Sequence, residues 1–354
     1  MTWRQNGSQM GKLAILAVLL VAGGVLLGMA GCGFKAQFSP KAVEVIQPAG
    51  EFALNSPNGL AVGKNGEVLV ADTWHNRIVM LGGKDKAKVI GGSTSAEAKL
   101  GFADQVKFQR AGTEASVTGG TGPSTSLKMT DVSEVKFSYP YGVALDGAGN
   151  IYVSDTWNHR IQKLSPEGEP LAKWGEYGAE ANNFSYPWGI AVDKLGNIFV
   201  ADSANSRIIK DSQKGRQLLV IGKEGKQEGQ FHLPLAVALD GQGNIYVTDT
   251  GNNRIEKLDA MGKYLLGWGK RGDQPGEFNK PTGIAVDSKD RVYVVDSLNH
   301  RVQVFDAAGK LLAVFGKRGK TQGEFEQPIA VAIGPNDKIY VLDWGNNRIQ
   351  VFQP

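Results

Sequence analysis

Five prolines, Pro140, Pro187, Pro234, Pro281 and Pro328, stand 47 residues apart. A period of that length restricts a chain to stacked or radial repeats. Around each proline the same phrase returns. It reads FSYPYGVALDGAGNIYVSDTWNHRIQKL from Phe137 and FSYPWGIAVDKLGNIFVADSANSRIIK from Phe184. It comes back from Phe231, Phe278 and Phe325, and an earlier copy, SPNGLAVGKNGEVLVADTWHNRIVML, starts at Ser56 with its proline at Pro57. The chain therefore holds six copies.

Each copy reads as four short strands. In the second, Gly142–Leu145 is followed by Asp146-Gly-Ala-Gly-Asn150. There Asp bonds its own backbone and Gly supplies positive φ, which makes a hairpin turn. Ile151–Ser154 has the aromatic and β-branched residues of a second strand. A loop, Asp155-Thr-Trp-Asn-His159, leads to a third strand at Arg160–Leu164, and Ser165-Pro-Glu-Gly168 turns into a fourth at Leu171–Trp174. No stretch of these units has a 3.6-residue apolar period. Four strands per repeat with regular turns is the pattern of propeller blades.

The copies closely resemble NHL repeats, whose core runs P-x-G-[IV]-A-V-D, then G-x-[IY]-[YF]-V-x-D-[ST]-x-N-x-R-[IV]-Q. The resemblance extends from Ser56 to the C-terminus. It implies an all-β, six-bladed β-propeller of four-stranded antiparallel blades. Departures are Ala236 and Ala330 for the glycine after Pro-x, Gly63 and Gly334 for the aspartate, and Trp344 for Ser/Thr. The sixth copy stops at Phe352 without a fourth strand, whereas Val43–Phe52 looks like the end of a blade. The N-terminal piece is thus expected to supply the missing outer strand, closing the ring and removing an open sheet edge.

Pro57 and Pro140 are 83 apart, so 36 residues are extra. They form an insertion at about 93–136, between the first two blades, which includes the low-complexity run Gly119–Ser126. Such an insertion is either functional or a passive surface loop. The Gly-rich run lacks the Gly-Lys-Ser/Thr of a phosphate loop.

Ahead of the repeats, Met1–Lys12 is polar with two positive charges, and the 19 residues Leu13–Gly31 are apolar. That is the layout of a secretory signal. It ends in Met29-Ala30-Gly31-Cys32, which resembles the lipobox of bacterial lipoproteins. The expected organisation is a signal peptide over 1–31, lipid on Cys32, a linker over 32–42 and the propeller over 43–354. The alternative is an uncleaved anchor, since the apolar run is long enough to cross a bilayer. Either form places the propeller outside the cytoplasm at a membrane of the cell envelope. Cys32 is the one cysteine, so no internal disulfide forms. Beyond residue 31 the chain has 37 basic and 35 acidic residues, a balance of +2. Such a balance does not suit nucleic acid as a partner.

In a propeller the loops joining strands two and three share a face with the blade-to-blade connections. Arg77, Arg160, Arg207, Arg254, Arg301 and Arg348, with aspartates such as Asp72 and Asp155, recur in every copy. They are expected to bridge strands and caps. Positions that vary are better candidates for ligand contact. One follows the proline: Asn58, Tyr141, Trp188, Leu235, Thr282 and Ile329. Another follows Asp-Thr/Ser, and there Trp74 and Trp157 stand in polar loops. With Tyr141 and Trp188 they are expected to form an aromatic patch over blades one to three; the alternative is packing against neighbouring blades.

His75, His159 and His300 fall in equivalent loops of blades one, two and five and are further candidates for ligand contact. Their separation around the ring argues against one shared metal ion. Neither H-E-x-x-H nor G-x-S-x-G occurs. The expectation is a binding or scaffold protein that recognises a protein, peptide or glycan, with no catalytic residues, metal or cofactor. The alternative is a metal-dependent lyase, lactonase or hydrolase with its site at the channel mouth.

Overall fold

The computed structural model describes residues 36, 38–82, 87–92 and 135–354. Cys32, the apolar run before it and most of the insertion lie outside these residues. Residues 36–354 form one compact unit. Among the described residues no helix is long and apolar enough to cross a membrane.

Six four-stranded antiparallel sheets follow one another, each pairing its strands in chain order from the axis outward. In blade three these are Pro187–Val192, Ile198–Asp202, Arg207–Asp211 and Gln217–Ile221. The last blade differs, as expected. Its outer strand is Lys41–Ile46, antiparallel to Arg348–Gln353, so the two ends of the ring are hydrogen-bonded together. That strand begins two residues before the sequence reading placed it.

The second strand of every blade is buried along its whole length, because it is covered by a blade on either side. The core is accordingly divided into wedges between neighbouring blades. One holds Phe199, Ile208, Phe231, Val247 and Leu258 from blades three and four. The phenylalanine that opens each later copy fills the outer part of a wedge: Phe184, Phe231, Phe278 and Phe325 are fully buried.

Two glycine positions explain much of the repeat. Gly222 ends an outer strand at φ +80°, and a Cβ there would lie 2.3 Å from the ring of Phe231. Gly142, in the P-x-G element, lies where inner strands crowd the axis, and a Cβ would come 2.1 Å from the Trp188 carbonyl. The first permits a sharp exit from the blade; the second lets the strands converge.

Candidate binding face

The loops between strands two and three fold into a single 3-10 turn closed by a left-handed residue, as at Thr156–Asn158 with His159 at φ +52°. An aspartate organises each loop. In blade three Asp202 Oδ1 accepts the Ser185 N–H at 2.6 Å, and Oδ2 accepts Arg207 Nε at 2.7 Å and Asn205 Nδ2 at 2.8 Å. The guanidinium then donates to the carbonyls of Ala179 and Asn183. All six blades repeat the aspartate–arginine contact at 2.7–2.8 Å. Next to it, Thr73, Thr156, Ser203 and Thr250 donate to the proline carbonyl of the following blade at 2.6 Å. The arginines therefore hold strands and linkers together.

The three loop histidines serve the same frame. His159 Nδ1 accepts the Tyr186 N–H at 3.2 Å, and His300 Nδ1 accepts that of Gln327 at 3.1 Å. Asn76 and Asn253 make the equivalent bonds through Oδ1 in blades one and four. Burial lowers the His159 pKa, which keeps the ring neutral and its Nδ1 lone pair available. His75 stands one position earlier, where the other blades have asparagine, with Nδ1 2.8 Å from Asp72 Oδ2. Among the described residues no three His, Cys, Asp or Glu side chains cluster as a metal site would require.

The aromatic residues are arranged differently from the single patch expected. Tyr141 and Trp188 stack at the channel, with centroids 4.2 Å apart and planes at 32°. Trp74 and Trp157 stand farther out on 3-10 turns and are bridged by Tyr139, at 6.0 Å and 5.1 Å. The series continues from Trp157 to Tyr186 at 6.0 Å, then to His159 at 4.6 Å and Tyr177 at 4.8 Å. Six rings thus form a ribbon across three blades. The division arises because the residue after proline lines the axis, whereas the one before it turns onto the loop face. Tyr139, Tyr186 and Tyr177 were missed from the sequence. The doubled Ser-Tyr-Pro of blades two and three was the available signal. Tyr139 and Tyr186 adopt φ +45° and +51°, as every residue before a repeat proline is left-handed.

The six positions after proline do converge. With the two residues that follow each, they line a central cavity of about 90 Å³ that bears no charged side chain. That is room for a few waters. Burial, and secondarily Tyr139, pushes the Tyr141 phenol up to about 12, so it stays a hydroxyl. Asn58 Oδ1 and the buried Thr282 Oγ1 have no protein hydrogen-bond partner. Asn58 Nδ2 is held by Ser56 O and Thr73 Oγ1, which fixes the amide in place. The lining is apolar and aromatic with a few fixed neutral polar groups, a common composition for sites of uncharged ligands.

The NHL repeat model matches residues 54–80, 137–164, 184–210, 231–258, 278–305 and 325–352. This is an NHL-repeat protein. The matches cover the three inner strands of each of the six blades. No curated protein matches the sequence significantly. Among solved structures, NHL-repeat blades of this chain superpose on a virginiamycin B lyase from Staphylococcus aureus bound to quinupristin, at 15% identity and TM-score 0.54, covering 87% of this chain and 84% of that one. A gluconolactonase from Xanthomonas campestris matches at 12% identity and TM-score 0.57, over 92% and 98% of the two chains. A chain of a nidogen/laminin complex matches at 20% identity and TM-score 0.53, over 80% and 88%. Identities this low establish a shared propeller fold alone.

Proposed function

We propose that this NHL-repeat protein is a membrane-tethered, extracytoplasmic binding module that holds a protein, peptide or glycan on its loop face. The observation that carries the reading is the aromatic ribbon. Its outer rings are presented to solvent, Trp157 at 38% and Tyr177 at 61% exposure. Large rigid rings bury much area for little lost entropy, which is why they anchor interfaces. The neutral channel mouth beside the ribbon offers an acceptor and a hydroxyl for orienting such a ligand. The recurring charged groups of that face are engaged in the blade frame, which leaves the aromatic rings as its distinguishing chemistry.

The test is capture from envelope extracts by the full chain and by Trp157→Ala/Tyr177→Ala. Both rings are exposed, so the variant is expected to unfold at the same urea concentration. Loss of an aromatic anchor weakens binding by about 2 kcal/mol, roughly thirtyfold. A ligand retained by the native chain and lost by the folded variant supports the reading. Equal capture by both removes it.

A further inference from the structure

The face opposite the aromatic ribbon bears the turns between strands one and two and between strands three and four. The chain enters the propeller on this face. Lys41 pairs with Gln353, the last residue of a strand that descends from the loop face, so the closing strand rises from below. Phe38 confirms the placement, for its ring lies 4.7 Å beneath the guanidinium of Arg291 at the end of a blade-five turn.

The two most exposed large apolar side chains of the described residues are on these turns: Leu195 at 81% and Met261 at 75% exposure. Neither turn is loose. Asp193 Oδ1 accepts the N–H groups of Leu195 and Asn197, and Asp259 Oδ1 accepts those of Met261 and Lys263. The carboxylates of this face are drawn into such turns and are partly buried. Among the described residues Lys64, Lys194, Lys214, Lys263, Lys289 and Lys310 are exposed, against exposed Glu167 and Glu169, and of these lysines Lys194 also donates to the Gly241 carbonyl of the next blade. The outward charge is therefore basic, with apolar tips rising from it.

We propose that this turn face lies on an anionic lipid surface, with Leu195 and Met261 entering the headgroup region and the lysines pairing with lipid phosphates. The inference rests on the tethered reading above. Ala36 is four residues beyond Cys32, a reach of at most about 14 Å. Because the chain enters at Phe38 and Lys41 on the turn face, a tether that short turns this face toward the bilayer. A basic surface, at about 1 kcal/mol per lysine near anionic lipid, adds to the hold of the tether and selects this orientation. The aromatic ribbon then points away from the membrane, toward its ligand.

The full chain, purified from membranes and reconstituted into phosphatidylglycerol vesicles containing a photoactivatable acyl lipid, tests this. Flotation reports the tether, and cross-linked peptides report orientation. The expected result is labelling of the peptides with Leu195 and Met261 at least fivefold above those with Trp157 and Tyr177. Leu195→Asp/Met261→Asp is expected to float normally but lose that labelling, and phosphatidylcholine vesicles are expected to reduce it several-fold. A chain that floats while these turns stay unlabelled overturns the orientation and leaves the tether standing, as for a face covered by protein. A chain that does not float overturns both.

Discussion

Blades four and five place Glu256 and Gln303 at the same point of the third strand, both fully buried beside the aspartate of their own frame. In blade five the amide completes the network. Gln303 Nε2 donates to Glu277 O at 2.7 Å and to Asp296 Oδ2 at 3.1 Å, while Oε1 accepts the Gly276 N–H at 2.8 Å. In blade four Glu256 Oε2 accepts the equivalent Gly229 N–H, but Oε1 lies 2.7 Å from Arg254 Nη2 without a hydrogen bond. The protons of that nitrogen are directed at Gln227 O and Gln230 O. One guanidinium thus faces two buried carboxylates, Asp249 and Glu256. Burial pushes Glu256 up to about 7 against the pull of Arg254, and Asp249 adds to the rise. A neutral donor stabilises a buried aspartate at any pH, whereas a carboxylic acid does so only while it keeps its proton.

The largest cost is expected when the arginines themselves are removed. Removing one partner of a buried pair costs about 3–5 kcal/mol. Arg254→Ala abandons two carboxylates and Arg301→Ala abandons one. At pH 8 the blade-four variant is expected to be the less stable of the two by about 1 kcal/mol. At pH 5, with Glu256 protonated, the gap is expected to close. Urea unfolding at the two pH values reads this directly, and a costlier Arg301→Ala at pH 8 breaks the comparison.

Next in size is Glu256→Gln, which makes blade four resemble blade five. The folded value near 7 lies above the ordinary 4.5 of the unfolded chain, so the native state binds the extra proton. Stability associated with this group is fully present below about pH 4.5 and is lost as pH rises through 7. At roughly 1.4 kcal/mol per pKa unit, a rise from 4.5 to about 7 means the glutamine variant is expected to gain about 3 kcal/mol at pH 8 and nothing at pH 4. Part of the slope is expected to persist, because burial also pushes Asp211 up to about 7 in blade three. An unchanged midpoint at pH 8 refutes the assignment.

How far such features can be read from sequence depends on whether they recur. The blade count, the strand order and the closing strand were legible because each copy restates them, and a misplaced strand in one copy is corrected by the other five. The frame was legible for the same reason, down to its arginines. The ribbon was not. Tyr139 reaches it only by joining Trp74 of the preceding blade to Trp157 of its own, a contact created by ring geometry and a left-handed backbone. Asp211 could be noticed as a carboxylate where Leu164 and Leu258 stand in neighbouring copies. Its partner, the Trp174 indole donating at 2.9 Å, comes from the previous blade and leaves no local trace.

The smallest effect concerns the loop caps, where blade four has Asn253 and blade five has His300. Both hold the following blade by accepting a backbone N–H, that of Lys280 at 2.9 Å and that of Gln327 at 3.1 Å. Both are left-handed, at φ +55°, a conformation asparagine adopts readily. His300→Asn preserves the acceptor and eases the backbone, so a change within about 0.5 kcal/mol is expected. His300→Leu removes the acceptor and leaves the Gln327 N–H unsatisfied, at a cost of about 1–3 kcal/mol. Chemical unfolding of the two variants separates a cap from a ligand contact. If His300→Asn keeps native stability but loses ligand capture, the imidazole is part of the binding face and not merely the blade-five counterpart of Asn253.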